Sequence, residues 1–180
     1  VYRKGAEVIR MLDTMLGRKA FVAGVRKYLE ANDGKAATAE DFVRGIEAAS
    51  GRDLSQFMLW YSTPGTPRCK VSMQYDAAAQ VCELTVEQSC PQVRNYPEPQ
   101  PLMFPLSIAL FDKSGKDIPL MMEGDARTGA PAERVLTISK SRETFRFTGV
   151  KSEPVPSLLR NFSAPVIVEY PYSQDDLLLL

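Results

Sequence analysis

The chain has 180 residues, of which 44% are hydrophobic and 24% are charged, as in an ordinary globular protein. Its 22 Lys and Arg residues balance its 22 Asp and Glu residues, so no excess charge favours a nucleic acid or an anionic membrane as partner. The chain contains no histidine, which excludes catalysis by a Ser-His pair, and no window approaches the roughly 18 apolar residues of a membrane span. We therefore expect no nucleic-acid partner and no membrane partner.

The first third of the chain has the pattern of short amphipathic helices. Apolar residues recur at helical spacing across residues 8–16, and Gly17 ends this first helix. A second apolar stripe covers residues 21–29 and stops before Asn32-Asp33-Gly34. These two segments predict a pair of consecutive helices.

Two further helices are predicted before residue 65. Thr38 followed by Asp41 is typical of a capping box, with Asp in place of the usual Glu. The fourth apolar stripe covers residues 54–61, and Asp53 is its predicted cap. The Pro-Gly pair at residues 64–65 then ends the helical block.

From about residue 68 the hydrophobic period changes from helical to alternating. A hairpin turn is predicted at residues 112–115, and the five prolines between Pro91 and Pro105 predict a surface connection or an edge rather than a central strand. The spacing of these segments favours an antiparallel, immunoglobulin-like sandwich of roughly seven strands. Strands are predicted at residues 71–75, 82–86, 106–110, 135–138, 143–147 and 166–170.

The three cysteines are Cys69, Cys82 and Cys90. Their odd number and the lack of an export signal favour reduced thiols and a cytoplasmic location. Two interpretations of Cys69 and Cys82 stay open, because they are either small hydrophobic residues in strands or the two halves of a cross-strand disulfide. A zinc site is not expected here, since the chain has neither Cys-x-x-Cys nor histidine.

The segment Tyr2-Arg3-Lys4-Gly5-Ala6 and the segment of residues 60–67 together resemble the aminopeptidase N family of zinc metallopeptidases. Tyr2-Arg3-Lys4-Gly5-Ala6 is similar to the tyrosine motif that follows the family's zinc helix, although Arg3 stands where the family usually has an acidic residue. The chain continues in the manner of the bacterial-type branch, and the resemblance covers nearly all of it. The other similar segments are residues 7–11, 32–42, 60–67 and 154–166.

The resemblance implies an α+β fold divided into three parts. Residues 1–65 would be the end of a thermolysin-like catalytic domain, residues 66–170 an immunoglobulin-like β-sandwich, and residues 171–180 the start of a C-terminal helical domain. The family's zinc ligands, two histidines and a glutamate, would lie before Val1, together with its general base. The implied parent enzyme uses zinc and acts on peptides, whereas this chain is predicted to bind no metal and to be inactive alone.

The resemblance also implies a role for Tyr2 as the catalytic residue of this segment. Peptide hydrolysis develops negative charge on the carbonyl oxygen, and a neutral phenol hydroxyl can donate a hydrogen bond to it. The start of a helix adds a favourable dipole for that charge. Glu7 and Arg10 are predicted to form a surface ion pair rather than to serve the reaction. Trp60 and Tyr61 are predicted to pack between domains rather than to stack on a ligand.

One alternative from a different class stays open at this point. The chain could be a non-enzymatic interaction module, with a helical cap on a β-sandwich that binds other proteins. This hypothesis fits the odd number of cysteines and the absence of a catalytic dyad.

Overall fold

A computed structural model describes residues 2–125 and 129–180, and it contains five α-helices and nine strands in these ranges. The helices are α1 (Tyr2–Leu16), α2 (Arg18–Asn32), α3 (Ala39–Ser50), α4 (Leu59–Ser62) and α5 (Gln174–Leu179). The strands are β1 (Arg68–Asp76), β2 (Val81–Ser89), β3 (Phe104–Phe111), β4 (Asp117–Ile118), β5 (Met121–Met122), β6 (Glu133–Ile138), β7 (Arg142–Thr148), β8 (Val155–Ser157) and β9 (Ile167–Glu169).

The first three helices begin and end close to the predicted positions. Gly17 separates α1 from α2 with a φ of 78°, a left-handed value that glycine adopts without a steric penalty. The capping box at α3 is confirmed, because the Thr38 hydroxyl accepts from the Asp41 amide at 3.3 Å and the Asp41 carboxylate accepts from the Thr38 amide at 3.0 Å. Local hydrogen bonds of this kind are readable from sequence because both partners lie within one turn.

The fourth helical segment differs from the prediction. The apolar stripe of residues 54–61 forms a 3-10 turn, Gln56–Met58, followed by the four-residue α4. The prediction that Asp53 caps this segment is wrong, since the turn begins after Ser55 without a side-chain cap. Asp53 instead accepts a hydrogen bond from the Ser55 amide at 2.8 Å and closes a short turn ahead of the helix.

Two sheets form the sandwich and confirm the predicted fold class. One has the strand order β5-β7-β2-β1-β9, and the other has the order β4-β3-β6 with β8 also beside β3. Every described pairing is antiparallel except that of β9 with β1, which places Ile167 opposite Arg68 in parallel. The expectation of a purely antiparallel sandwich is therefore corrected at this edge, because β9 reaches the first sheet from a chain segment that has just left the second.

Strand β3 is the centre of the second sheet, and it is buried on both faces from Phe104 to Leu110. The prediction that the proline-rich stretch contains no central strand is wrong for Pro105, which lies within β3 opposite Thr137. The amide of Ser107 points away from β6 and donates to the Ser163 hydroxyl at 3.0 Å. Since residues two apart in a strand turn their amides to the same edge, Pro105 breaks no hydrogen bond to β6.

The helical segment and the sandwich share one hydrophobic core. The buried face of α1 is formed by Val8, Met11 and Leu12, and this helix lies over β3 and β6. The core of the sandwich itself fills the space between the sheets with side chains such as Phe104 and Phe147. Among residues 2–125 and 129–180, none of the helices has the length and apolar character that crossing a lipid bilayer requires.

Candidate active-site face

Tyr2 lies at the start of α1 with 94% of its surface exposed. In the part of the chain that the structure describes, its hydroxyl makes no hydrogen bond. The phenol is thus directed away from the core of the chain, where a second molecule or another chain segment can reach it. This placement fits a hydrogen-bond donor, but the role of Tyr2 stays a prediction.

A groove of about 800 Å³ runs beside the first turns of α1. Val8 and Trp60 line its apolar part, and Tyr61, Pro64 and Tyr96 form further walls. Gly5 also lines the groove, and a side chain at this position would meet no heavy atom within 4 Å. The groove is therefore open along the helix that carries Tyr2.

Lys4 ties the start of α1 to the end of the helical block. Its ammonium group donates to the Gly65 carbonyl at 3.0 Å and lies 5.9 Å from the ring centroid of Trp60. The carbonyl that accepts this bond belongs to a glycine with a φ of 94°. Two separate stretches of the aminopeptidase N-like motif, residues 2–6 and residues 60–67, are thus in direct contact.

Trp60 joins this contact to the sandwich. It is only 4% exposed, and its indole nitrogen donates to the Met103 carbonyl at 2.7 Å, just before β3. The predicted packing role is confirmed for Trp60, because most of its ring is buried and its N–H is satisfied by the sandwich. Tyr61 differs, since it is exposed at the groove, and partial burial raises the pKa of its hydroxyl with a smaller effect from Glu40.

A second anchor holds α1 farther along its length. Glu7 and Arg10 form the predicted ion pair at 3.4 Å. Arg10 also donates from its other terminal nitrogen to the backbone carbonyl of Asn161 at 2.5 Å. The latter bond joins residues 151 positions apart, and sequence reasoning missed it because no local pattern marks it.

The loop that receives Arg10 has an unusual backbone. Leu159, Asn161 and Phe162 all have positive φ values, of 54°, 53° and 50°. Each left-handed residue other than glycine costs on the order of 1–3 kcal/mol, so surrounding contacts must hold this conformation.

Those contacts converge on Glu133 at the start of β6. Its carboxylate accepts from the Ser107 hydroxyl at 2.7 Å, from Arg160 Nε at 3.0 Å and from the Asn161 side-chain amide at 3.4 Å. The Ser107 hydrogen bond is the main cause that lowers the pKa of Glu133, and the Arg160 hydrogen bond and charge add to it. Glu133 is therefore held as a carboxylate that links strand β3, strand β6 and the loop.

The residues beside Tyr2 do not fit a zinc site. Zinc in proteins is held by histidine, cysteine or carboxylate ligands, yet Tyr2 is followed by Arg3 and Lys4, and the first carboxylate, Glu7, pairs with Arg10. Within residues 2–125 and 129–180 no cluster of three candidate ligands occurs, and the sequence has no histidine. The chemistry that this face can supply is therefore that of a hydrogen-bond donor, not that of a metal ligand.

The cysteines do not form the disulfide that the sequence left open. All three are free thiols, and Cys69 lies opposite Gln88 whereas Cys82 lies opposite Tyr75, so the two are far apart along the β1–β2 pair. Burial raises the pKa of both Cys69 and Cys82 to about 12, with a smaller effect of Glu83 on Cys82. These thiols are inert core residues rather than nucleophiles.

Comparison with known proteins agrees with this two-part arrangement. Residues 65–171 match the family described as "Domain of unknown function (DUF3458) Ig-like fold". The chain belongs to this family. Residues 1–61 match the "Peptidase family M1 domain", so the two matches meet in the turn after α4.

Similar proteins extend the likeness over the whole chain. It is 44% identical over 180 residues to aminopeptidase N of Escherichia coli (strain K12), covering 100% of this chain and 20% of that protein. It is 43% identical over 178 residues to aminopeptidase N of Haemophilus influenzae, covering 99% and 20% respectively. The resemblance to the aminopeptidase N family is thereby confirmed, and the chain spans about one fifth of the length of these relatives.

A solved structure confirms the fold. The crystal structure of Legionella pneumophila aminopeptidase A in complex with aspartic acid is similar to this chain with a TM-score of 0.83 and 32% identity. The similarity covers 98% of this chain and 18% of that one. The fold of the segment is thus that of the corresponding part of a much longer polypeptide.

Proposed function

We propose that this chain is a segment of an aminopeptidase that removes N-terminal residues from peptides. The similarity of this whole chain to one fifth of proteins named aminopeptidase N supports this, together with the match of the helical segment to a peptidase family. In this proposal residues 1–65 belong to the catalytic domain, residues 66–170 form the supporting sandwich and residues 171–180 begin a further helical domain. Peptides and the remaining domains of the same polypeptide are its partners, and the cytoplasm is its location.

Tyr2 is the residue to which we assign chemistry. The observation that carries the assignment is its exposure at the first turn of a helix anchored at Lys4 and Arg10. A phenol hydroxyl there donates a hydrogen bond to the oxygen of a peptide carbonyl under attack, and the positive end of the helix dipole adds to that stabilisation. Zinc, the cofactor we propose for the whole enzyme, is held by residues outside this chain.

The test is Tyr2→Phe in the longer polypeptide that contains this segment, assayed on an aminoacyl chromogenic substrate. We expect kcat to fall by roughly 10²–10³, since that is the usual effect of removing one oxyanion donor, while KM changes little. Tyr28→Phe is the matched control, because Tyr28 lies on α2 and its ring packs on Phe42, 5.4 Å away between centroids.

Two outcomes would contradict the proposal. A Tyr2→Phe enzyme with unchanged kcat would remove Tyr2 from the reaction, and a longer polypeptide without aminopeptidase activity would favour the interaction module. The isolated chain provides a further check, because residues 1–180 alone are expected to show no hydrolysis with or without added zinc.

A further inference from the structure

The contact between α1 and the sandwich combines two kinds of interaction. Val8, Met11 and Leu12 bury an apolar face against the second sheet. Apolar packing of this kind is not directional, so it stabilises the helix on the sheet without fixing its exact shift or rotation. Hydrogen bonds supply that direction, and Arg10 makes one that reaches the sandwich.

The Asn161 carbonyl, which accepts the hydrogen bond from Arg10, lies in a turn that several contacts hold. Asn161 lies between two other residues of a left-handed turn, and the Phe162 amide donates to the Leu159 carbonyl at 3.0 Å. Arg160 fastens the turn by donating to Glu133 at 3.0 Å and to the Ser157 hydroxyl at 3.2 Å, and its guanidinium lies 5.7 Å from the ring centroid of Phe111.

The end of the same loop is fastened to the central strand. The buried Ser163 hydroxyl accepts the Ser107 amide at 3.0 Å, and the Ser107 hydroxyl donates to Glu133 at 2.7 Å. Strand β3 and strand β6 therefore both hold the loop through Glu133 and Ser163. A strained turn fixed on both sides is a rigid support for a single outward carbonyl.

We propose that this loop, residues 159–163, is a clamp that positions α1, and with it Tyr2, for the reaction proposed above. Arg10, Asn161 and Glu133 are positioning residues, since none of them touches the groove beside Tyr2. Arg10 lies eight residues after Tyr2, which is about 12 Å along a helix at 1.5 Å per residue. A continuous helix of 15 residues transmits a shift at Arg10 to its first turn.

The inference rests on the proposed function, and its test separates the two. The longer polypeptide is prepared as Arg10→Met, as Arg10→Lys and as the matched control Arg44→Met. Arg44 pairs with Asp41 at 3.0 Å with the same three-residue spacing as Arg10 and Glu7, but within the described residues it makes no hydrogen bond to the loop. Each variant is combined with Tyr2→Phe.

We expect Arg10→Met to lower kcat about tenfold with little change in KM, because a small misplacement of a catalytic group is costly. Arg10→Lys, which keeps a donor, should recover part of the loss, and Arg44→Met should have no effect. In the Tyr2→Phe background, Arg10→Met should cost less than about twofold, since the group it positions is gone.

Unchanged kcat in Arg10→Met, or an equal loss in both backgrounds, would overturn the clamp without contradicting the proposed role of Tyr2. Unchanged kcat in Tyr2→Phe would instead overturn the proposed function. Hydrogen exchange of the α1 amides then still decides the clamp, because faster exchange is expected in Arg10→Met than in Arg44→Met, and equal exchange contradicts it. Should Arg10→Met fail to fold, Glu133→Gln weakens the clamp from the sandwich side and must give the same pattern.

Discussion

The β-sandwich and the helical segment differ in how completely they bury their residues. The sandwich supplies most of the shared core, with β3 buried from Phe104 to Leu110 and large side chains such as Phe104 and Phe147 fully enclosed. Of the 15 residues of α2, all of them described, Gly24 alone is buried. Leu29 of the same helix is 59% exposed. Helix α2 is therefore much less enclosed than the sandwich, and so is the helix start that carries Tyr2. Other parts of the helical segment do bury large side chains, namely Met11, Ile46 and Phe57.

This difference teaches that the first turns of α1, in which none of residues 2–7 is buried, are positioned rather than enclosed. Helix α1 has an apolar face on the sandwich, but Lys4 and Arg10 determine its placement through two backbone carbonyls that belong to other parts of the chain. A region with few buried side chains opens at lower free energy than a closed core. Polar anchors to the sandwich are the means by which this helix start gains a defined geometry.

The largest expected effect is a difference in the free energy of unfolding between two phenylalanine variants of the isolated chain. Phe104→Ala should lower the free energy of unfolding by about 3–5 kcal/mol, because it leaves a cavity in a closed core. Phe21→Ala should cost less, since Phe21 is only partly buried against Phe42 at 6.5 Å between ring centroids. Urea denaturation measures both. Equal losses would show that Phe21 is as fully enclosed as Phe104.

The second prediction concerns how closely α2 and α3 approach. A Cβ at Gly24 would lie 2.6 Å from Cδ1 and 2.7 Å from Cα of Ile46, so Gly24→Ala should destabilise the chain by about 1–3 kcal/mol through overpacking. Gly5→Ala is the control, because nothing lies within 4 Å of its Cβ and alanine favours the helix. The midpoint temperature of thermal unfolding should fall in Gly24→Ala and rise in Gly5→Ala. An unchanged midpoint in Gly24→Ala would mean that the two helices separate easily.

The smallest effect is a pH dependence to which two buried thiols of the sandwich contribute most. The pKa of Cys69 and of Cys82 rises from 9.0 to about 12 through burial, and both residues lie in strands of the first sheet. Above pH 9 the unfolded chain releases these protons and the folded chain keeps them, so stability falls as pH rises toward 12. The loss should be about 1 kcal/mol per thiol at pH 10.

Denaturant titration of the chain at pH 8 and pH 10 measures this slope. Tyr172, whose pKa burial raises from 10.0 to about 12, adds little below pH 10, which keeps the thiols as the main contributors. Cys69→Val should reduce the slope by removing one of these two thiols, while Cys90, whose pKa partial burial also raises, is unchanged in the variant. A slope that stays the same in this variant would assign the pH dependence to other residues.

Local features were predictable because both partners lie within a few residues of each other. The capping box of Thr38 and Asp41 is one case, and the hairpin at Asp112 is another, where the carboxylate accepts from the amides of Ser114 and Lys116. The alternating pattern of residues 71–75 likewise predicted β1. Hydrophobic period and turn residues depend only on local backbone geometry.

The candidate site was predictable only in part. The motif around Tyr2 pointed to α1, but the sequence did not show that Lys4 contacts Gly65, because that bond spans 61 residues. The apolar stripe of residues 54–61 predicted a fourth helix, and the structure has a 3-10 turn at its start, followed by α4, whose Trp60 donates to the Met103 carbonyl. Tertiary packing outweighed the local preference at this point.

The sequence by itself determined the two compositions, the α+β class, the short elements and the family resemblance, because each of these depends on residue type and spacing along the chain. Tertiary structure alone decided the parallel pairing of β9, the place of Pro105 within a central strand and the strained turn that supports Arg10. These features join residues that are distant in the chain. Their energies exist only once the two sheets and α1 have come together, so no local pattern can encode them.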